Sequence, residues 1–300
     1  MKPKILLTGA TGFIGTNFVL RLHNQYEITA LVRASSDTST IESHCEIYRY
    51  KDLDSITQLF QKEQFDGVVH LAIFWQPSYI DEYNIFTFID SNITFGNMLL
   101  ESLKVNPPKF FINTLTYSMY ANSNNYYPND LYAATKQAFY DICAYYAQIL
   151  PTTFSHLLLY NIYGNYDTRP RIFNLWQKIA KSGECLEMSA GEQMLDFSHI
   201  FDVVDGYAML IQLCLENKVP NNQIYTLENQ RYRLRELATL FEKYTDSTLN
   251  IQWGAKPYRE NEIMEPVSSK DSALLEKLPN WNPKITLEQG LKIIYQKPLG

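Results

Sequence analysis

The chain alternates compact apolar runs with segments of helical periodicity. In KILLTGATGFIG (4–15) an apolar run meets a glycine turn, and TNFVLRLHNQ (16–25) then spaces its apolar residues as a helix does, so the order is strand, turn, helix. A second strand follows in EITALVR (27–33) and a third in CEIYRY (45–50). The rhythm continues with a helix in DLDSITQLFQKE (52–63), a strand in DGVVHLAI (66–73), a long helix through ITFGNMLLESLK (93–104) and the strand KFFINTL (109–115). Another helix begins near residue 131 and ends near Leu150, before Pro151, and TFSHLLLYNIYG (153–164) reads as one further strand. Strands alternating with helices predict an α/β fold, a Rossmann-type doubly wound parallel sheet with right-handed crossovers. After Gly164 the rhythm breaks into short elements mixed with Gly, Pro and Arg. The expected division is a dinucleotide-binding domain over 1–162 and a smaller C-terminal α/β substrate lobe over 163–300, with about 198–227 returning to the first domain.

Three hundred residues with 46% hydrophobic content can bury a substantial core. A formal net charge of −6, without any basic run, argues against a nucleic-acid partner. Cys45, Cys143, Cys185 and Cys214 are widely spaced and form no CxxC, which reads as reduced thiols. The chain opens on a strand-like run, with no signal-peptide pattern and no apolar stretch of membrane-spanning length, so a cytoplasmic protein away from the membrane is expected.

Gly9, Gly12 and Gly15 follow the first strand and open the first helix, the context in which glycines let a backbone approach a pyrophosphate at a helix N-terminus. At the end of the second strand stands LVRASSD (31–37). An acid there would suit the ribose hydroxyls of NAD, whereas Arg33, with the hydroxyls of Ser35 and Ser36, favours the 2′-phosphate of NADP(H); Asp37 comes late for the ribose acid. NAD(H) remains the alternative. Asp52 and Leu53, after the third strand, could border the adenine, and Asp52 equally suits a helix cap.

With TGATGFIG (8–15), HLA (70–72), Thr116, Tyr132, Lys136 and NIYG (161–164) in this order, the sequence resembles the extended short-chain dehydrogenase/reductases that act on nucleotide sugars. The resemblance runs from residue 5 to about 290, and its N-terminal motifs are the more specific. It implies that Tyr132 exchanges a proton with the sugar oxygen, that Lys136 holds the nicotinamide ribose and favours the phenolate, and that Thr116 hydrogen-bonds the reacting oxygen. It implies further that Thr11, Phe13, Ile14, Leu71 and Ala72 lie against the cofactor, with Asn92 on a proton or water path. On the substrate side it points to Asn161 and Arg259, with Arg169 and Arg171 in the loop after NIYG where substrate passes. It also implies a homodimer through the helices around 90–105 and 131–149.

Departures from the family narrow the reaction. Sugar dehydratases carry Asp and Glu directly after the Thr; here those positions are Tyr117 and Ser118. Many relatives place Arg before the Asp of QMLDFSHIFDVVDGY (193–207), to meet the substrate diphosphate, but this chain has Leu195. Asp196, His199 and Asp202 are too loosely spaced for a metal site and read as structural. Phe173, Trp176 and Tyr258 are candidates to stack on a base. The resemblance, which extends to reductases similar to CDP-abequose and CDP-paratose synthases, implies NADPH-dependent reduction of a nucleotide-linked 4-keto-6-deoxy or 3,6-dideoxy sugar for surface polysaccharide. A nucleotide-sugar 4-epimerase using bound NAD is the alternative reaction, and a redox-sensing binding protein without turnover the alternative class.

Overall fold

The structure, a computed structural model, describes residues 1–75 and 85–295. Its strands are β1 (Lys4–Thr8), β2 (Glu27–Arg33), β3 (Glu46–Tyr50), β4 (Gly67–His70), β5 (Phe110–Thr116), β6 (Thr153–Leu159), β7 (Asn161–Tyr163), β8 (Leu186–Met188), β9 (Met194–His199), β10 (Gln223–Thr226), β11 (Arg231–Arg233), β12 (Ile251–Trp253) and β13 (Leu275–Lys277). Eight of these form one parallel sheet in the order β3-β2-β1-β4-β5-β6-β10-β13. The order reverses between β1 and β4, and at such a switch point the crossovers leave on opposite faces and open a crevice at the carboxyl ends of the strands.

Helices α1 (Phe13–Leu22), α2 (Leu53–Lys62), α3 (Ile85–Ile89), α4 (Phe95–Ser102), α5 (Leu131–Ile149), α6 (Ile172–Ser182), α7 (Ile200–Leu215), α8 (Leu234–Thr245) and α9 (Leu287–Tyr295) complete the chain. On one face of the large sheet, α1 and α7 bury Phe18, Val19, Val203 and Tyr207 against β1 and β2, and a bidentate Arg21–Asp205 ion pair joins them at the edge. On the other, α2, α4 and α5 bury Phe60, Leu99, Phe139 and Cys143. Both faces are covered, which explains strands such as KILLT that are apolar on every residue but their ends.

Two segments differ from their sequence expectation. TFSHLLLYNIYG is two strands, because the chain turns at Tyr160, whose hydroxyl donates to the Val267 carbonyl at 2.8 Å; β7 then leaves the large sheet and pairs with β9. The long helix ahead of residue 104 is interrupted by a π-helical turn over Asp90–Thr94, and this wide turn aims the buried Asn92 across to Phe74. The later segments form a lobe from the sheets β11-β9-β7 and β12-β8 with α6, α8 and α9. Phe173 and Trp176 lie in the core of this lobe, packed on Phe241, and at 2% and 0% exposure they are out of reach of any base. Their place is a consequence of α6 being amphipathic: the residues on its apolar face go inward.

Candidate active site

One cavity of about 1900 Å³ runs from the glycine loop, past the carboxyl ends of β4 and β5, to the lobe. At its near end Gly9 has φ +66°, and a Cβ there would stand 2.6 Å from the Ala72 nitrogen. A Cβ on Gly15 would stand 2.6 Å from the Ala10 Cα. The loop is therefore closed against its own helix and against β4, and Thr11, Gly12, Phe13 and Ile14 face the cavity with their backbone at the N-terminus of α1. This shape fits a dinucleotide pyrophosphate. Two ties set the loop: Asn17 Nδ2 donates to the carbonyls of Phe13 (2.9 Å) and Asn165 (2.8 Å), and the Arg169 guanidinium lies 4.5 Å over the Phe13 ring.

Leu71 and Ala72 line the same wall, and the Ala72 nitrogen donates to Thr8 Oγ1, which also meets His70 Nδ1 at 2.8 Å. Burial keeps His70 neutral by pulling its imidazole down to about 3. At the far edge of the sheet Arg33 and Ser36 reach the cavity, whereas Ser35 is exposed outside its wall. Asp52 and Leu53 are also off the wall. Asp52 caps α2, its Oδ1 accepting from Ser55 N at 2.9 Å in a reciprocal capping box, so its sequence position serves the helix and Tyr50 takes the place beside the cavity.

The candidate catalytic residues gather on β5 and α5. Asp130 caps α5 by accepting from Ala133 N, and the first turn then presents Tyr132 to the cavity, on the same wall as Thr116. Thr116 Oγ1 lies 3.0 Å from Ser118 Oγ. Lys136, one turn on, is 2% exposed, and its Nζ donates to the Thr114 carbonyl at 2.8 Å. Burial pulls its ammonium down to about 7. Burial likewise raises the Tyr132 phenol above its ordinary value, and the charges that oppose this are Arg171 first and Arg169 second. Thr114 is the hub beneath: its Oγ1 bonds the His70 carbonyl at 3.1 Å and the buried Tyr207 hydroxyl at 2.6 Å. Asn92, off the wall, clamps both backbone groups of Phe74 and donates to Thr135 Oγ1 at 3.0 Å.

Toward the lobe, Asn161 Nδ2 points at the Tyr117 hydroxyl (3.4 Å), and Tyr117 stacks on Tyr160. Arg169 is held bidentately by Asp167 at 2.7 and 2.8 Å, which commits its charge locally. Arg171 has no carboxylate partner among the described residues; its guanidinium lies 3.9 Å over the Trp75 ring, inside the cavity. Leu195 is on the wall, and Arg259 stands exposed at the rim. Tyr258 is off the wall, its hydroxyl accepting from Glu192 N. Asp196 and Asp202 take backbone donors, from Asn229 and from Lys284 and Ile285, and His199 caps α7. Sequence reasoning missed Thr114, Tyr207, Trp75 and the neighbourhood of Arg171 with Tyr132. No spacing signals them, since they converge from strands and helices far apart in the chain.

The sequence model of the NAD dependent epimerase/dehydratase family matches residues 5–226. A CDP-abequose synthase of Salmonella muenchen is 28% identical over 298 residues, covering 97% of each chain. A UDP-glucuronate 4-epimerase of Thermodesulfobacterium geofontis is 25% identical, over 96% of this chain and 93% of that one. Among solved structures, a UDP-glucose 4-epimerase of Thermotoga maritima superposes with a TM-score of 0.80 at 20% identity, over 97% of this chain and 96% of the other, which establishes the common fold. With the glycine cradle, Thr116 and Tyr132 on one cavity's wall and Lys136 buried one helical turn from Tyr132, the chain belongs to the NAD-dependent epimerase/dehydratase family, the extended short-chain dehydrogenase/reductases, and is an NAD(P)-dependent oxidoreductase.

Proposed function

We propose that the protein is an NADPH-dependent reductase of a nucleotide-linked 4-keto-6-deoxy sugar, forming the 4-hydroxy sugar for surface polysaccharide. The observation that carries this reading is the end-to-end similarity to a CDP-abequose synthase, at nearly equal length and without large insertions in either chain. Arg33 at the cavity's edge, with no acid beside it on the wall, supports NADPH over NADH.

The nicotinamide, when bound, supplies the hydride. The chain's own residues do the rest. Tyr132 gives its proton to the sugar oxygen as charge develops there, and Thr116 holds that oxygen by its hydroxyl. Lys136 binds the adjoining ribose hydroxyls from its anchor on the Thr114 carbonyl, and Arg171 opposes the charge left on the Tyr132 oxygen. Tyr117 and Ser118, in place of the dehydratases' acidic pair, supply no carboxylate for water loss. Asn161 contacts the sugar, while Arg259 and Arg171 serve the phosphates that Leu195 cannot. The exposed Tyr145 and Ile149 on α5 suit a homodimer through α4 and α5. A monomer in sedimentation would remove that part of the reading.

The function is tested by mixing the purified protein with NADPH and a CDP-linked 4-keto-6-deoxy or 3,6-dideoxy sugar. Stoichiometric loss of NADPH with formation of the 4-hydroxy sugar is expected. The 4-epimerase reading, favoured by the epimerases among the relatives, predicts instead tightly held NAD and interconversion of 4-epimers without net nicotinamide turnover. That result would overturn the reductase.

A further inference from the structure

Arg49 sits on β3, one strand out from Arg33, in register with Val32. Its guanidinium reaches over the end of β2 and donates to three carbonyls in succession: from Nη1 to Arg33 (3.2 Å), Ala34 (3.1 Å) and Ser36 (3.0 Å). Nη2 donates to Thr38 Oγ1 at 3.1 Å, and that hydroxyl continues to Glu42 at 3.0 Å. One exposed side chain thus gathers four oxygens of the turn over 33–38, which closes on itself through Ser36 N to the Arg33 carbonyl. With these carbonyls drawn toward Arg49, the turn presents Arg33 and Ser36 to the cavity. Asp37, the first carboxylate after β2, stays off the wall and accepts from Ser39 N at 3.0 Å. That backbone donor, with the charge of Arg49 as a further contribution, holds the Asp37 carboxyl below its ordinary range.

We propose that Arg49 is a specificity-positioning residue, which shapes the turn over 33–38 to receive a ribose 2′-phosphate and keeps Asp37 from the ribose. This rests on the NADPH reading of the same site. A guanidinium bound to three carbonyls orients the turn's acceptors away from an incoming anion, and its positive charge partly offsets the Asp37 carboxylate. Without Arg49 the carbonyls lose their donor, the turn relaxes and Asp37 is free to swing in, where a carboxylate accepts from a 2′-OH and repels a 2′-phosphate.

The test is a set of fluorescence titrations with NADPH and NADH on the wild type, Arg49→Gln and Arg33→Ala. Arg49 is exposed, so Arg49→Gln keeps the core intact, and thermal unfolding checks this. The expected result is an NADPH affinity weakened about tenfold or more in Arg49→Gln, with NADH changed by no more than about twofold. Equal weakening of both dinucleotides, or no change in either, overturns the role of Arg49: a plain staple of the turn would move both alike. Arg33→Ala separates the two levels. If the wild type prefers NADPH and Arg33→Ala loses the preference while Arg49→Gln keeps it, only Arg49 is misassigned. A wild type without NADPH preference overturns the cofactor reading and the Arg49 role with it.

Discussion

At the residue scale the proposed chemistry turns on Tyr132 and Arg171. The phenol is raised by burial, and the leading charge that works against this is a guanidinium 39 positions later in the chain, stacked on Trp75. Tyr132→Phe removes the proposed proton donor while leaving the ring's packing. Turnover is expected to fall by about 10²- to 10⁴-fold, with NADPH binding nearly unchanged in a fluorescence titration. Undiminished turnover would end the mechanism. Arg171→Gln withdraws the cation that favours phenolate, so the phenol rises further. In the direction of alcohol oxidation the phenolate is the base, so the rise of rate with pH should move to higher pH in this variant, with a loss of about tenfold near neutrality. A pH profile superposable on the wild type would show that Arg171 serves the substrate alone. Tyr132 and Lys136 are legible as a pair because four-residue spacing puts them on one helix face. Arg171 and Trp75 are not, because two irregular segments far apart in the chain meet only after the sheet has formed.

The element that decides cofactor binding is the turn from β1 into α1. Its three glycines serve distance as well as conformation: at Gly15 an added Cβ meets the Ala10 Cα at 2.6 Å, and the atoms it meets are backbone, which cannot swing away. Gly15→Ala should push α1 off the strand, destabilise the protein by about 1–3 kcal/mol in urea unfolding, and abolish dinucleotide binding. Retained binding would mean that the helix tolerates the shift and that the close approach is not what holds the pyrophosphate. The same scale settles an open choice and holds a departure from sequence expectation: of its two readings Asp52 takes the helix cap, on α2, and the aromatic residues of α6 face inward. A cap and a ligand use the same carboxylate, and an aromatic in a core and one on a base have the same composition; only the element's neighbours separate them.

For the whole molecule, the buried carboxyl of Asp196 couples stability to pH. It lies on the middle strand of the lobe's sheet, 0% exposed, with one oxygen accepting from Asn229 N and the other, Oδ1, without a partner among the described residues. Burial lifts its carboxyl from the ordinary 3.8 to about 8, against the smaller opposing effects of Asn229 N–H and Arg231. The folded state therefore holds a proton that the unfolded chain releases near 4. That contribution to stability is fully present below about pH 4 and is lost as pH rises through about 8. Asp196→Asn has no such titration, so its stability relative to wild type should improve by about 2 kcal/mol between about pH 6 and pH 8. A difference that stays flat with pH would mean that the carboxylate is already charged in the fold.

The sequence by itself determined the α/β alternation, the glycine turn at its start and the Tyr-Lys face of α5. Each is a local pattern: a run of apolar residues, a turn without side chains, a spacing along one helix. The structure alone decided that the 153–164 run breaks at Tyr160, because pairing with β9 outweighs continuing beside β5. It also decided that Lys136 anchors on the Thr114 carbonyl, that Arg169 is committed to Asp167 while Arg171 is not, and that Arg49 gathers the turn after β2. These are contacts between segments brought together by crossovers, and a side chain's partner in such a contact depends on sheet order and register, which no window of sequence contains.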